Sequence, residues 1–206
     1  ILVHDRPGGG SQSWWHASFS YFYLGFIYDK CDEGDPTIAA SIVTSIVGVL
    51  NPSLDLTPYQ NEQIPNQIVQ HMLAVLGAPG TNFLSWQLTG TPTLETVFKI
   101  LDEDTDVPAG AGNGDANSTI IHRLKEGAER FMISNINDPG SGNLGQSEIF
   151  VMFDLISANA ADFNHVPGGA NVLYMDGHVN FVRYPSDKAP VIRAVAMALG
   201  LVNVAS

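Results

Sequence analysis

Apolar and polar positions along this chain predict a mixture of strands and helices. The sharpest alternation lies near the C-terminal end, where Asn171–Met175 and His178–Tyr184 flank Asp176-Gly177. Asp-Gly between two β-prone runs predicts a hairpin with a two-residue type I′ turn, since Gly takes positive φ freely and Asp tolerates it. With that turn Tyr174 faces Val179, Val172 faces Phe181, and the four side chains share one face of the sheet. Ile149-Phe150-Val151-Met152-Phe153 is a continuous apolar run and predicts a central strand. The stretch from Trp14 to Tyr28 holds eight aromatic residues and predicts one or two half-buried strands. Core packing is the ordinary use of such a stripe; the sharper alternative is a sugar-stacking platform built on Trp14, Trp15 and Tyr21.

Helical spacing appears elsewhere. Asp35 as cap and Pro36 as first residue open a helix through Leu50, with Ile38, Ile42, Ile46 and Val49 on its apolar face. Asn66–Leu76 forms a second helix, with Ile68, Met72, Val75 and Leu76 apolar and His71 at the surface or hydrogen-bonded. Thr91-Pro92-Thr93 opens a third, carrying Leu94, Val97, Phe98 and Leu101, after a short strand over 83–88. Leu124, Ala128 and Phe131 predict a short fourth helix before a strand near 131–133. Pro190–Val204 is apolar with one charge, Arg193, so it must be buried against something. Residues 52–65, 107–118 and 138–143 read as loops, from their Pro, Gly, Asn and Asp content.

Composition narrows the function. Charged residues make up 15% against 45% apolar, so the surface is poorly charged or partly covered by partners. Twenty-one acidic against nine basic residues leave a net −12, which argues against nucleic acid and anionic lipid and suits divalent cations. Cys31 is the single cysteine, so neither an internal disulfide nor a cysteine zinc site can form; it reads as a small buried hydrophobe or an intersubunit bridge. No apolar run approaches the ~18 residues of a membrane span. The chain lacks a Gly-x-Ser-x-Gly elbow, a phosphate loop, a His-Glu-x-x-His motif and a dinucleotide fingerprint, so it reads as a non-enzyme without organic cofactor.

Three groups of residues carry candidate chemistry. Asp102, Asp104 and Asp106 alternate like oxygen ligands, and Asn113, Asp115 and Asn117 repeat the spacing; loops of this composition suit calcium. The plain alternative is a solvated acidic helix end before a Gly-rich loop. Asn117-Ser118-Thr119 is also a glycosylation sequon. Ile1-Leu2-Val3 stands ahead of Gly8-Gly9-Gly10 as a frayed terminus or as an arm that docks on a neighbouring subunit's sheet edge. His165, His178 and Asp176 permit a His/His/Asp metal site, against the simpler reading of Asp176 as a turn residue.

His165, the Pro167-Gly168-Gly169 loop, the apolar strand and Asp176-Gly177-His178-Val179 together resemble the C-terminal signature of a bacterial, planctomycete-type prepilin-like family, named for a His, nine residues and Asp-Gly. Thr119–Phe131 followed by Ile133–Pro139 resembles a second block of that family. Here ten residues separate His165 from Asp176. The family's N-terminal prepilin helix has no counterpart in the 206 residues, which implies a leader or prepilin segment removed before Ile1. The resemblance is strongest over 119–184. It implies an α+β fold, a pilin-like antiparallel sheet including 171–175 and 178–184 with several packed helices, in one domain over 14–206 behind an arm and linker over 1–13. It further implies an exported, extracellular or cell-surface structural subunit whose partners are copies of itself, forming a filament or surface layer. The alternatives are a minor pseudopilin of a secretion machine and a secreted carbohydrate-binding module that takes surface glycans.

Overall fold

The computed structural model describes residues 21–23, 25–50, 52–77, 102–128, 145–156 and 168–205. In chain order these form β1 (Tyr21–Tyr23), β2 (Thr37–Ala39), α1 (Ser41–Leu50), a 3-10 turn (Thr57–Tyr59), β3 (Gln63–Pro65) and α2 (Asn66–Gly77). Then come β4 (Thr105–Asp106), β5 (Ile120–Ile121), β6 (Phe150–Asp154), β7 (Gly169–Tyr174), β8 (Val179–Arg183) and α3 (Arg193–Ala205). The fold is mixed α+β, and every pairing between named strands is antiparallel. The arm at Ile1–Val3, Trp14, Trp15, the strand over 83–88, the helix of Leu94 and Leu101, the strand near 131–133 and His165 lie outside the described residues.

The largest sheet has the order β1-β6-β7-β8. The apolar run read as a central strand is central, with β1 on one side of β6 and β7 on the other. Phe153 faces Phe22 and Val172 across the sheet, and the Phe22 and Phe153 rings sit 5.7 Å apart. This inner face joins Val43 and Val47 of α1, Ile68 and Val69 of α2, and the buried side of α3 in one core cluster. Val195, Met197, Leu199 and Leu201 are all buried on α3, as its apolar composition requires. At about 1.5–3 kcal/mol per large side chain, these four contribute roughly 6–12 kcal/mol of burial before entropy is counted.

The hairpin forms, but its turn differs from the expected one. Leu173 pairs with Val179, Val172 with Asn180 and Asn171 with Phe181. Met175-Asp176-Gly177 is therefore a three-residue loop. Gly177 takes φ +88° while Asp176 stays at negative φ, which rules out type I′. The Gly177 N–H donates to Tyr174 O at 2.9 Å and the Tyr174 N–H to His178 O at 3.0 Å, a turn closed by one left-handed glycine. A one-residue change of register moves side chains to the opposite face. Val179 and Phe181 accordingly stand opposite Val172 and Tyr174 instead of beside them.

A helical expectation also changes. The segment after Pro36 is extended first: Thr37–Ala39 pairs with Gln63–Pro65, setting Ile38 against Ile64, and the helix starts at Ser41. Asp35 closes a local turn, accepting from the Asp32 N–H at 2.8 Å. Helix α1 buries Val43 and Val47, whereas Ile42, Ile46 and Val49 are exposed. It carries two apolar stripes, and contact with the rest of the fold selects the one the spacing did not favour. Of the short helix expected on Leu124, Ala128 and Phe131, Lys125–Ala128 makes a turn closed by the Ala128 N–H on Lys125 O at 3.1 Å, and the part beyond 128 lies outside the described residues.

Candidate functional site

The chain just after β1 organises a polar network that reaches the Gly-rich loop over 107–118. Phe26 bridges Arg123 in antiparallel fashion, and Ile27 N–H donates to His122 O at 2.9 Å. Asp29 follows. Its Oδ1 accepts from Gln67 Nε2 at 2.8 Å and Asn113 Nδ2 at 2.7 Å, and its Oδ2 from Gly114 N at 2.7 Å. Buried Gln67 returns its Oε1 to the Asp29 and Lys30 N–H groups, each at 3.0 Å. Lys30 Nζ donates to the carbonyls of Gly112 at 2.5 Å, Asp115 at 2.9 Å and Gly110 at 3.5 Å. The cation held by the loop's carbonyls in this fold is thus a lysine ammonium. His71, buried on α2, meets Tyr28 Oη at 2.6 Å and Thr105 Oγ1 at 3.2 Å. Burial lowers its pKa from 6.5 to about 4, so it is a neutral, hydrogen-bonded core histidine. Burial first, then Asp29, Asp35 and Asp32, push the Cys31 thiol well up, as befits an inert buried cysteine.

The six positions read as calcium ligands fall into separate settings. Asp104 accepts from Arg123 N at 2.9 Å, meets His122 Nδ1 at 3.0 Å, and pairs with Lys125 Nζ at 3.2 Å. Burial works to raise its pKa, but the Arg123 N–H, His122 and Lys125 outweigh that and hold the carboxylate ionised. Asp102 pairs with Arg123 Nη2 at 3.1 Å, and Arg123 also lies 5.1 Å from the Phe26 ring centroid. Asn113 is buried, donating to Ile27 O at 2.8 Å and Asp29 and accepting from His122 N at 2.7 Å. Asp106 belongs to β4, and exposed Asp115 accepts from the Asn117 N–H at 3.3 Å. Asn117, the sequon residue, is exposed. Among the described residues no three His, Cys, Asp or Glu side chains gather into a metal-holding group.

The motif residues of the hairpin do backbone work. Asp176 Oδ1 accepts from the His178 N–H at 3.0 Å and meets its ring Nδ1 at 2.6 Å; the His178 N–H, then its ring, keep this exposed carboxyl low. The His178 ring stacks on Tyr174 at 4.4 Å. Gly168 and Gly169 lead into β7. At Gly169 a Cβ would stand 2.5 Å from the tip of the Phe181 ring and 2.8 Å from Val182 O, so only glycine admits that approach.

The feature that spacing missed is the outer face of the four-stranded sheet. The register sets Tyr23, Met152, Leu173 and Val179 in one row; in the next, Tyr21 and Phe181 flank Asp154 and Asn171, whose side chains are joined by the Asn171 Nδ2 donation to Asp154 Oδ2 at 2.8 Å. Val179 is 61% exposed, Tyr23 55% and Phe181 50%. Val179 and Phe181 on β8 and Tyr23 on β1 stand at the two edges of one surface, with half-buried Met152 and Leu173 between them, and so expose more large apolar groups together than scattered exposure gives. A three-residue reading of the Asp-Gly loop would have placed Val179 and Phe181 on this face.

No helix among the described residues is long and apolar enough to cross a membrane. Compared with known proteins, the chain matches no family model, no curated sequence and no solved structure.

Proposed function

We propose that this chain is an exported structural subunit that assembles with copies of itself, on the outside of a cell, into a filament or layer. The observation that carries the reading is the outward apolar sheet face of Tyr21, Tyr23, Val179 and Phe181. The apolar side chains of this surface gain by leaving water, at roughly 25 cal/mol per Å². The resemblance of the hairpin to the prepilin-like signature supports the same reading, as does the low share of charged residues. Calcium belongs to it as a counter-ion between copies that each carry −12, and chelation of assembled material tests that part. Sedimentation velocity and negative-stain microscopy test the whole. The protein should form concentration-dependent polymers, and the double variant Val179→Asp/Phe181→Asp should remain a folded monomer. A wild-type chain that stays monomeric at every concentration overturns the reading.

The exposed rings of Tyr21 and Tyr23 favour a second reading, a glycan-binding module, because aromatic faces stack on sugars. A monomer whose fluorescence shifts with a soluble glycan, and no longer does so after Tyr23→Ala, would establish it.

A further inference from the structure

Helix α1 is apolar on two sides. Val43 and Val47 enter the core, while Ile42, Ile46 and Val49 form a second stripe in water, with Val49 73% exposed. Ser41–Leu50 contains no charged residue. A helix that is apolar on both sides is normally covered on both. The inner stripe of α1 and the inner face of the β1-β6-β7-β8 sheet meet in the same core. Their outer surfaces both turn away from that core, so the two cannot meet within one molecule. Between two molecules they can.

The geometry points to a head-to-tail contact in which the Ile42/Ile46/Val49 stripe of one copy packs on the Tyr23/Val179/Phe181 sheet face of the next. This inference rests on the self-assembly reading above and names its two surfaces. Charge argues for this occupant. Arg183 follows Val179 and Phe181 on the outer side of β8 and is the exposed charge within that face's described strands. Asp55 is exposed and lines one open groove with Ser45, Gly48 and Val49 of α1. Its carboxylate accepts from Thr57 N–H at 3.1 Å, which fixes it beside the helix. A basic group borders one apolar surface and an acidic group the other, in a chain with only nine basic residues.

Dimensions also agree. The ten residues of α1 span about 15 Å, and the five residues of β8 about 17 Å. Helix layered on sheet is a standard way to bury both. Because the two patches differ, the contact is heterologous, and it propagates as a fibre unless its rotation closes a ring.

The test is a charge swap on the full chain, read as the critical concentration for polymer in sedimentation assays. Arg183→Glu and Asp55→Arg, each alone, should raise it about tenfold or more, because like charges then meet across the contact. Both sites are exposed, so circular dichroism should match wild type; the melting temperature should match for Arg183→Glu and fall only slightly for Asp55→Arg, which gives up the bond from the Thr57 N–H. The double variant Arg183→Glu/Asp55→Arg should restore the critical concentration to within about threefold of wild type, which supports this pairing of surfaces. If both single variants polymerise like wild type, or the double variant shows no recovery, the helix-to-sheet contact is overturned while self-assembly stands. If wild type never polymerises, the contact and the assembly reading fall together.

Discussion

Replacing His71 with glutamine should remove a pH dependence of stability that this buried ring imposes. His71 touches Phe26, Tyr28 and Thr105, with the Phe26 ring edge-on at 4.2 Å. Burial lowers its pKa from 6.5 to about 4. The unfolded chain therefore binds a proton at His71 between these values that the folded chain refuses. The stabilisation is fully present above pH 6.5 and is lost as pH falls through 4. At 1.36 kcal/mol per pKa unit the total loss is about 3 kcal/mol, of which about 2 kcal/mol has gone by pH 5. His71→Gln keeps a polar side chain but does not titrate. It should cost about 1–2 kcal/mol at pH 7 through an imperfect hydrogen bond to Tyr28 or Thr105. The two stability curves should then cross between about pH 5 and 6, with the variant the more stable below the crossing. Carboxyls held low, Asp104 and Asp176 among them, destabilise only at lower pH, and Asp35, which burial raises, opposes them. These groups are common to both proteins and drop out of the difference. Urea unfolding between pH 7 and pH 4 reads it directly. Parallel curves without a crossing would show that His71 is solvated or already charged in the folded protein.

Two further outcomes follow from the backbone and the polar network. Gly177→Val should cost more than about 1 kcal/mol while Gly177→Asn costs less; nothing lies within 4 Å of a Cβ there, so the φ of +88° is the whole cause, and equal melting of the valine variant and wild type would refute the turn. Asp29→Ala should cost about 3 kcal/mol, because the donors of buried Gln67 and Asn113 and the Gly114 N–H all lose their acceptor. Amides over 107–118 should exchange faster in that variant, and unchanged protection would mean that the loop is held by Lys30 alone.

How much of this was legible in the sequence can be followed element by element. Helix α2, the buried helix α3 and the central strand β6 are local matters. Their apolar spacing or apolar runs persist over enough residues that a single arrangement buries them. Gly177 as a turn glycine and Cys31 as an inert buried residue were equally readable, since each follows from the chemistry of one residue. The loop around Gly177 was ambiguous by one residue, because Asp-Gly serves both a two-residue turn and a three-residue loop. Pairing of β7 with β6 and β8 settled that ambiguity, and with it the side of the sheet that Val179 and Phe181 occupy. Helix α1 offered two apolar stripes, and only packing could choose between Val43/Val47 and Ile42/Ile46/Val49. Asp29, Lys30 and Gln67 gave no signal at all. The Lys30 partners Gly110, Gly112 and Asp115 lie 80 or more residues away, and Gln67 meets Asp29 and Lys30 from a separate helix; a chain carries no local record of which distant carbonyl will accept from which lysine. Periodicity determined which segments fold and which residues can be buried; the face each presents, and hence the apolar surface left exposed, was decided by tertiary contacts, because burial is a property of the pair and not of the residue.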